Sequence, residues 1–474
     1  MLHTLFAPRL LTACLLAAGL SSATAASIQL PAELPAFAPA KPGIAPQISV
    51  RRLSNGMEVW VLPRQGLPRV DYALALRGAG HGADSAELPG LAKLHAQLLS
   101  AGTRHRDARA VLETVQRLGG ELRATASRDG ITVSANALAS KAPQMLQLLA
   151  ELIREPAYPE AEVEQARTHG LERLNADAAN PGKRAERSLS ALTFGEHPYG
   201  HTAVSETTLQ RLSPELLRQA HARRFRPERS LLVISGPLRP EQVFKQVETA
   251  LGRWQAEGEA AAEPAMAQPG GTAQRLLLDR PGSVQASLRI GRQGHAASAA
   301  DELPLRLAST LLGGGIRSRI TWKLREERGY TYWAWVVPHS YRSGGAIEAG
   351  ADVRNEVAGA ALKDVLAEYR RLGEEPVGAD ELDTTKRYMA GDYLITMQRQ
   401  AGMTAALAEN WLVGLPADFL ASYVQRLAPI NAEQLRDIGR RYFDPAGQHI
   451  VVVGDRTAIE GQLQGLGDFS VMAK

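Results

Sequence analysis

Eleven histidines and a single cysteine bound the chemistry this 474-residue chain can do. His197 and His201, in GEHPYGH, stand four apart, a spacing that on a helix would put two imidazoles on one face where they could share a metal. Pro198 and Gly200 oppose a regular helix there, so neither is expected to be a ligand. Cys14 lies in the leader described below. The mature chain therefore has no thiol, which removes disulfides, thiolate metal sites and a cysteine nucleophile. Gly313, Gly314 and Gly315, in LLGGGIRSRI, would let another backbone approach closely, since no Cβ intervenes. No Gly-Lys-Ser/Thr follows them, so they do not form a phosphate loop.

These residues need elements to hold them. Residues 1–25 carry Arg9, an apolar run from Leu10 to Leu20 and a small-residue Ala23-Thr24-Ala25 site, the pattern of a secretory signal peptide. Leu11-Thr12-Ala13-Cys14 also resembles a lipobox, but most of the apolar run follows Cys14. No later segment reaches the roughly 20 apolar residues of a membrane span, so the expected location is the periplasm without a membrane anchor. Residues 26–47 are rich in Pro and Ala and read as an extended arm. Residues 255–274, QAEGEAAAEPAMAQPGGTAQ, read as a linker between halves at 48–254 and 275–474.

The halves repeat one pattern. Strands at Val59–Leu62 and Val70–Arg77 open the first, and strands at Leu276–Asp279 and Val284–Ile290 open the second; each half closes with a buried-type strand and a helix. A hairpin is expected at ELRATASRDGITVSANAL, turning on Asp129-Gly130. The pattern predicts an α+β fold of two homologous domains, each a mainly antiparallel sheet covered by helices. A composition 45% hydrophobic and 22% charged supports a large core, and 54 basic against 50 acidic residues, spread without blocks, argue against nucleic acid as a partner.

The segment LRGAGHGADSAELPGLAKLHAQLLSAGTRHRDARAVLETVQRLGGEL resembles the opening of a pitrilysin/insulinase-type peptidase domain, a likeness that runs from about Arg51 to the C terminus. It implies two such domains forming half of a clamshell chamber. In active relatives the helix after Gly-Leu-Ala carries H-x-x-E-H, two histidines for zinc and a glutamate that activates water. Here Lys93 and Gln97 stand at the histidine places and Ala96 at the glutamate place. An ammonium offers no lone pair, an amide is a poor ligand and alanine takes no proton, so no metal is expected in this chain. The family's third ligand aligns near Glu172 and Arg173. Leu91, Leu94, Leu98 and Leu99 read as the buried stripe of this helix, with Lys93 and Gln97 on the open side and His95 off the ligand face.

LLGGGIRSRITWKLREERGYTYWAWV resembles the family's glycine-rich loop and the Arg/Tyr pair after it, here Arg325 and Tyr332. The resemblance implies that this pair contacts the substrate backbone or the developing oxyanion. A guanidinium and a phenol both donate hydrogen bonds to such an oxygen. Some family peptidases divide these parts between two chains. The expectation is a chain that does not cut peptides alone: a substrate-binding subunit whose H-x-x-E-H sister subunit holds the zinc. The other reading is a structural scaffold of the same fold, as in relatives that became core subunits of respiratory complexes.

Overall fold

Strand β3 (Arg69–Arg77) is buried on both faces from Val70 to Leu76, and its alternation shows what covers each. Tyr72, Leu74 and Leu76 enter a core shared with helix Ala142–Arg154, while Ala73 and Ala75 enter a second cluster built by helix Gln400–Leu412. Alanine on that face lets a helix lie close to the strand. This computed structural model describes residues 46–268 and 271–472. The expected signal peptide and nearly all of the Pro/Ala arm lie outside the described residues.

Two six-stranded sheets repeat one another. β1 (Ser49–Arg52), β2 (Glu58–Pro63), β3, β4 (Glu121–Ala126), β5 (Gly130–Leu138) and β6 (Ser230–Gly236) make the first, in the order β1-β2-β6-β3-β5-β4. β7 (Arg275–Asp279), β8 (Gln285–Gln293), β9 (Ala334–Tyr341), β10 (Gly344–Arg354), β11 (His449–Gly454) and β12 (Ser470–Met472) make the second, in the order β12-β7-β11-β8-β10-β9. Apart from the edge strands β1 and β12, the orders superimpose. β6 pairs parallel with β2 and antiparallel with β3, as β11 does with β7 and β8. The fold is α+β with mainly antiparallel sheets. No helix of the described residues is long and apolar enough to cross a membrane.

The halves exchange a helix. Helix Pro181–Phe194 follows the first sheet's strands in sequence yet packs on β8 and β11 of the second, placing Ala185 and Leu189 against Leu278, Val451 and Val453. Helix Gln400–Leu412 belongs to the second half and packs on β3 and β6 of the first, placing Met403, Leu407, Trp411 and Leu412 against Trp60, Leu62, Leu231 and Val233. Buried polar groups fix this helix in register. The Gln400 amide donates to Asp71 Oδ2 at 2.7 Å and to the Arg69 carbonyl at 3.0 Å. The described residues accordingly form one compact unit.

The β4–β5 hairpin forms, but Asp129-Gly130 is not its turn. Ser127 to Asp129 make the loop, closed by the Ser127 amide donating to the Gly130 carbonyl at 2.8 Å, and Gly130 begins β5. A Cβ on Gly130 would sit 2.4 Å from the Leu76 carbonyl oxygen, so this glycine serves the close approach of β3.

Candidate functional site

The helix at the expected zinc place, Leu91–Leu98, starts from Gly90 with φ of 80°, where a Cβ would lie 2.5 Å from the Val204 Cα. Its N-terminus is held by Asp84, whose carboxylate accepts from the Ala92 amide at 3.0 Å and pairs with the buried Arg224 guanidinium at 2.9 Å. Negative charge there offsets the helix dipole. Leu91, Leu94, Leu98 and Leu99 are buried as the stripe requires, and Lys93 and Gln97 are exposed on the opposite side.

Lys93 and Gln97 line a cavity of about 860 Å³, across from Glu172 and Arg173 on helix Glu160–Ala179, with Trp335 and His339 from β9 and Glu348 from β10 completing the far wall. Ala96 points away from it, into the sheet core beside Leu99. The donor set does not fit zinc, since the cavity-facing places of the motif hold an ammonium and an amide. Among the described residues no group of three or more His, Cys, Asp or Glu side chains converges on one point. Without ligands or a base at those places, this helix lacks the groups by which H-x-x-E-H binds zinc and activates water. Lys93 makes no ion pair with Glu172. Burial and then the Arg173 guanidinium lower its pKa, while Asp177 pulls the other way.

His95 is wholly buried behind this helix in a network that the sequence did not disclose. Its Nε2 lies 2.7 Å from the Tyr158 hydroxyl, which lies 3.0 Å from Nδ1 of His221, and His221 Nε2 lies 2.9 Å from the Ile153 carbonyl. A carbonyl only accepts, so His221 carries its proton on Nε2, Tyr158 donates to Nδ1, and His95 donates to the phenol oxygen. Both rings are neutral. Burial, then His221 and Arg224, hold His95 well below its usual pKa, and burial brings His221 down to about 4. His197 and His201 bind backbone instead of metal: their Nε2 atoms lie 2.9 Å from the Ala265 carbonyl and 2.8 Å from the Gly195 carbonyl.

A second missed cluster reaches the cavity through Arg128 and ties the sheets together. Arg128 donates to the Tyr341 hydroxyl at 2.6 Å and to the Tyr199 carbonyl at 2.9 Å, and the Tyr199 hydroxyl donates to Asp129. Asp129 also accepts from the Arg342 amide at 3.1 Å. Pairing across sheets needs residues more than a hundred positions apart, so no local pattern announces it.

Arg325 and Tyr332 come together on a different element. Residues Trp322–Glu327 form a π-helix, with Leu324 as its buried anchor. Gly329, at φ of 60°, reverses the chain, and the Thr331 hydroxyl donates to the Asp352 carbonyl at 2.8 Å, docking the loop on β10. Tyr332 is left 81% exposed, with the Arg325 guanidinium 4.8 Å from its ring centroid. That stacking holds two donors side by side at the surface. Neither residue lines the 860 Å³ cavity.

The glycines divide. Gly313 is buried, and a Cβ there would lie 2.3 Å from the Val336 amide nitrogen; one on Gly314 would lie 2.6 Å from the Thr310 Cα. Both serve internal packing. Gly315 alone has room, with the Tyr388 ring at 3.6 Å as its nearest neighbour, and the Tyr388 hydroxyl donates to the Gly314 carbonyl at 3.2 Å. The expectation that all three glycines face a peptide thus narrows to Gly315.

Two family models match in succession: "Insulinase (Peptidase family M16)" over residues 71–206 and "Peptidase M16 inactive domain" over residues 211–389. The chain belongs to the insulinase family. A Bacillus subtilis relative described as an uncharacterized zinc protease, YmxG, is 23% identical over 77% of this chain and 88% of its own length. A Helicobacter pylori relative described as a non-peptidase homolog of the same name is 22% identical over 78% of this chain and 85% of its own. Among solved structures, a Pseudomonas fluorescens protein described as a peptidase M16 inactive domain superimposes with a TM-score of 0.81 at 22% identity, over 86% of this chain and 98% of its own. The fold is that of this insulinase-family protein, and the second family model spans the π-helix and Tyr332.

Proposed function

We propose that this insulinase-family chain is the non-catalytic, substrate-binding subunit of a heterodimeric peptidase, exported to the periplasm by a cleaved signal peptide. Its partner is a homologous chain that carries H-x-x-E-H and therefore the zinc. Arg325, Tyr332 and Gly315 of this chain complete the partner's site. The zinc supplies Lewis-acid activation of water in the partner, and the residues here bind and orient the peptide. Arg325 and Tyr332 donate hydrogen bonds to the carbonyl oxygen as it gains charge, and Gly315 leaves room for the peptide backbone.

One observation carries this reading. The Arg/Tyr pair is assembled, with Tyr332 exposed and Arg325 half-buried and ion-paired with the neighbouring Glu326 at 3.2 Å, and it lies outside the chain's own cavity, whose zinc place has no ligands, so it is placed to serve a different chain.

The test mixes the purified chain with an exported homologue bearing H-x-x-E-H and follows hydrolysis of a fluorogenic peptide. The mixture should cleave faster than either chain alone, and Arg325→Ala should cost roughly 10²-fold in rate, the order measured when one oxyanion donor is removed. Tyr332→Phe, which keeps the stacked ring and loses the hydroxyl, should also slow cleavage. Unchanged rates in both variants would leave the scaffold as the better reading.

A further inference from the structure

The cavity at the lost zinc place has a charge imbalance that its own residues do not resolve. Its lining carries five cations against four carboxylates. Lys183 holds Glu186 at 2.7 Å, and the charge of Arg128, whose partners Tyr341 and Tyr199 are uncharged, is matched by Glu348, whose neighbour His339 has its pKa lowered by burial. Among the described residues, Lys93, Arg173 and Arg187 then have no carboxylate within ion-pair distance, against two unpaired carboxylates, Glu172 and Asp177. Lys93 feels this directly. Beyond burial, Arg173 is the strongest influence on it and opposes its charge. Lys93 and Arg173 project into one space from two helices that pack on each other.

A cation pair facing an open cavity is stabilised by an anion that can accept from both. A carboxylate suits this geometry, with two oxygens for an ammonium and a guanidinium. The volume points to something larger than a free anion. About 860 Å³ lies in the range of pockets that enclose whole ligands, and Leu94, Ala166, Val204 and Trp335 give apolar wall beside the charges. Inorganic phosphate would fill little of it.

We propose that this cavity is a peptide-binding site in its own right, in which Lys93 and Arg173 clamp a carboxylate of the peptide where active relatives hold zinc. The substitution that abolishes metal binding thereby creates an anchoring charge. This site belongs to the isolated chain and needs neither a partner nor the Arg325/Tyr332 pair.

The experiment uses the purified chain alone and measures, by calorimetry at low salt, its binding of N-acetyl-pentaalanine as the free acid, the same peptide as its C-terminal amide, and the amide of an acetylated pentapeptide with a central glutamate. The free acid should bind about tenfold more tightly than the pentaalanine amide. That preference should vanish in Lys93→Met and in Arg173→Met, survive in Lys93→Arg, and shrink as salt screens the charges. Both Met substitutions fall at exposed positions, and a melting curve checks that each variant is folded. If the glutamate peptide equals the free acid, either a side-chain or a C-terminal carboxylate is accepted; if it matches the amide, only the C terminus is. Equal binding of free acid and both amides, no binding of any probe, or wild-type binding of the free acid by both Met variants would overturn the proposal.

Discussion

Cutting the chain at residues 255–274 should not release two stable halves. The exchanged helix Gln400–Leu412 gives the first sheet four large side chains: Leu407 at 0% exposure, Met403 at 2%, Leu412 at 3% and Trp411 at 6%. Burying each contributes about 1.5–3 kcal/mol, so a fragment of residues 46–254 forgoes roughly 6–12 kcal/mol. That approaches the whole stability of a typical folded protein, about 5–15 kcal/mol. The fragment also loses the Gln400 amide that satisfies Asp71 and the Arg77 guanidinium's seat 3.9 Å from the Trp411 ring centroid. It leaves Trp60, Leu62, Leu231 and Val233 as a bare apolar face. The assay is urea unfolding followed by circular dichroism, with size-exclusion chromatography at several concentrations. The expected result is an aggregated or non-cooperatively unfolding fragment. A monomeric fragment with a cooperative transition and a midpoint like that of the intact chain would refute this account of the helix exchange.

Acid should weaken the fold through His95 and His221. Unfolded, both titrate near 6.5; folded, both are held below it, His221 at about 4, so between those values the unfolded chain binds more protons. Their contribution is therefore complete above pH 6.5 and falls as pH drops toward 4, and urea midpoints across that window should show a fall that His221→Gln lessens; an unaltered profile would contradict the neutral-ring assignment. Asp84→Asn leaves the buried Arg224 guanidinium without its counter-charge, which should cost about 3–5 kcal/mol, seen as a melting temperature lowered by several degrees. A shift within a degree would mean that Asp84 acts only as a helix cap.

Much of the molecule is legible in the residues alone. Strand alternation placed the opening strands of each half to within a few residues, because one face of each strand must be apolar, and the leucine spacing of helix Leu91–Leu98 told which side chains are buried. The loss of a zinc site followed from Lys93, Ala96 and Gln97 without any coordinates, since ligand chemistry belongs to residue types. Other features have no local signature. Nothing local marks the π-helical turn around Arg325, which is seen only where Leu324 enters the core and Thr331 docks on β10. Gly313 and Gly314 look like part of an open loop until β9 and Thr310 are seen filling the space beside them.

What the sequence settles by itself is the periodicity of each element and the chemistry each side chain can perform, for these are properties of short stretches and single residues. Tertiary structure decides what those stretches are pressed against. It sends a helix of each half across to the other half's sheet, joins His95 to His221 through Tyr158, and sets Lys93 beside Arg173 on the wall of one cavity. Each of these pairings joins residues that lie far apart along the chain. Their energies depend on burial and distance, which exist only once the two sheets have folded together.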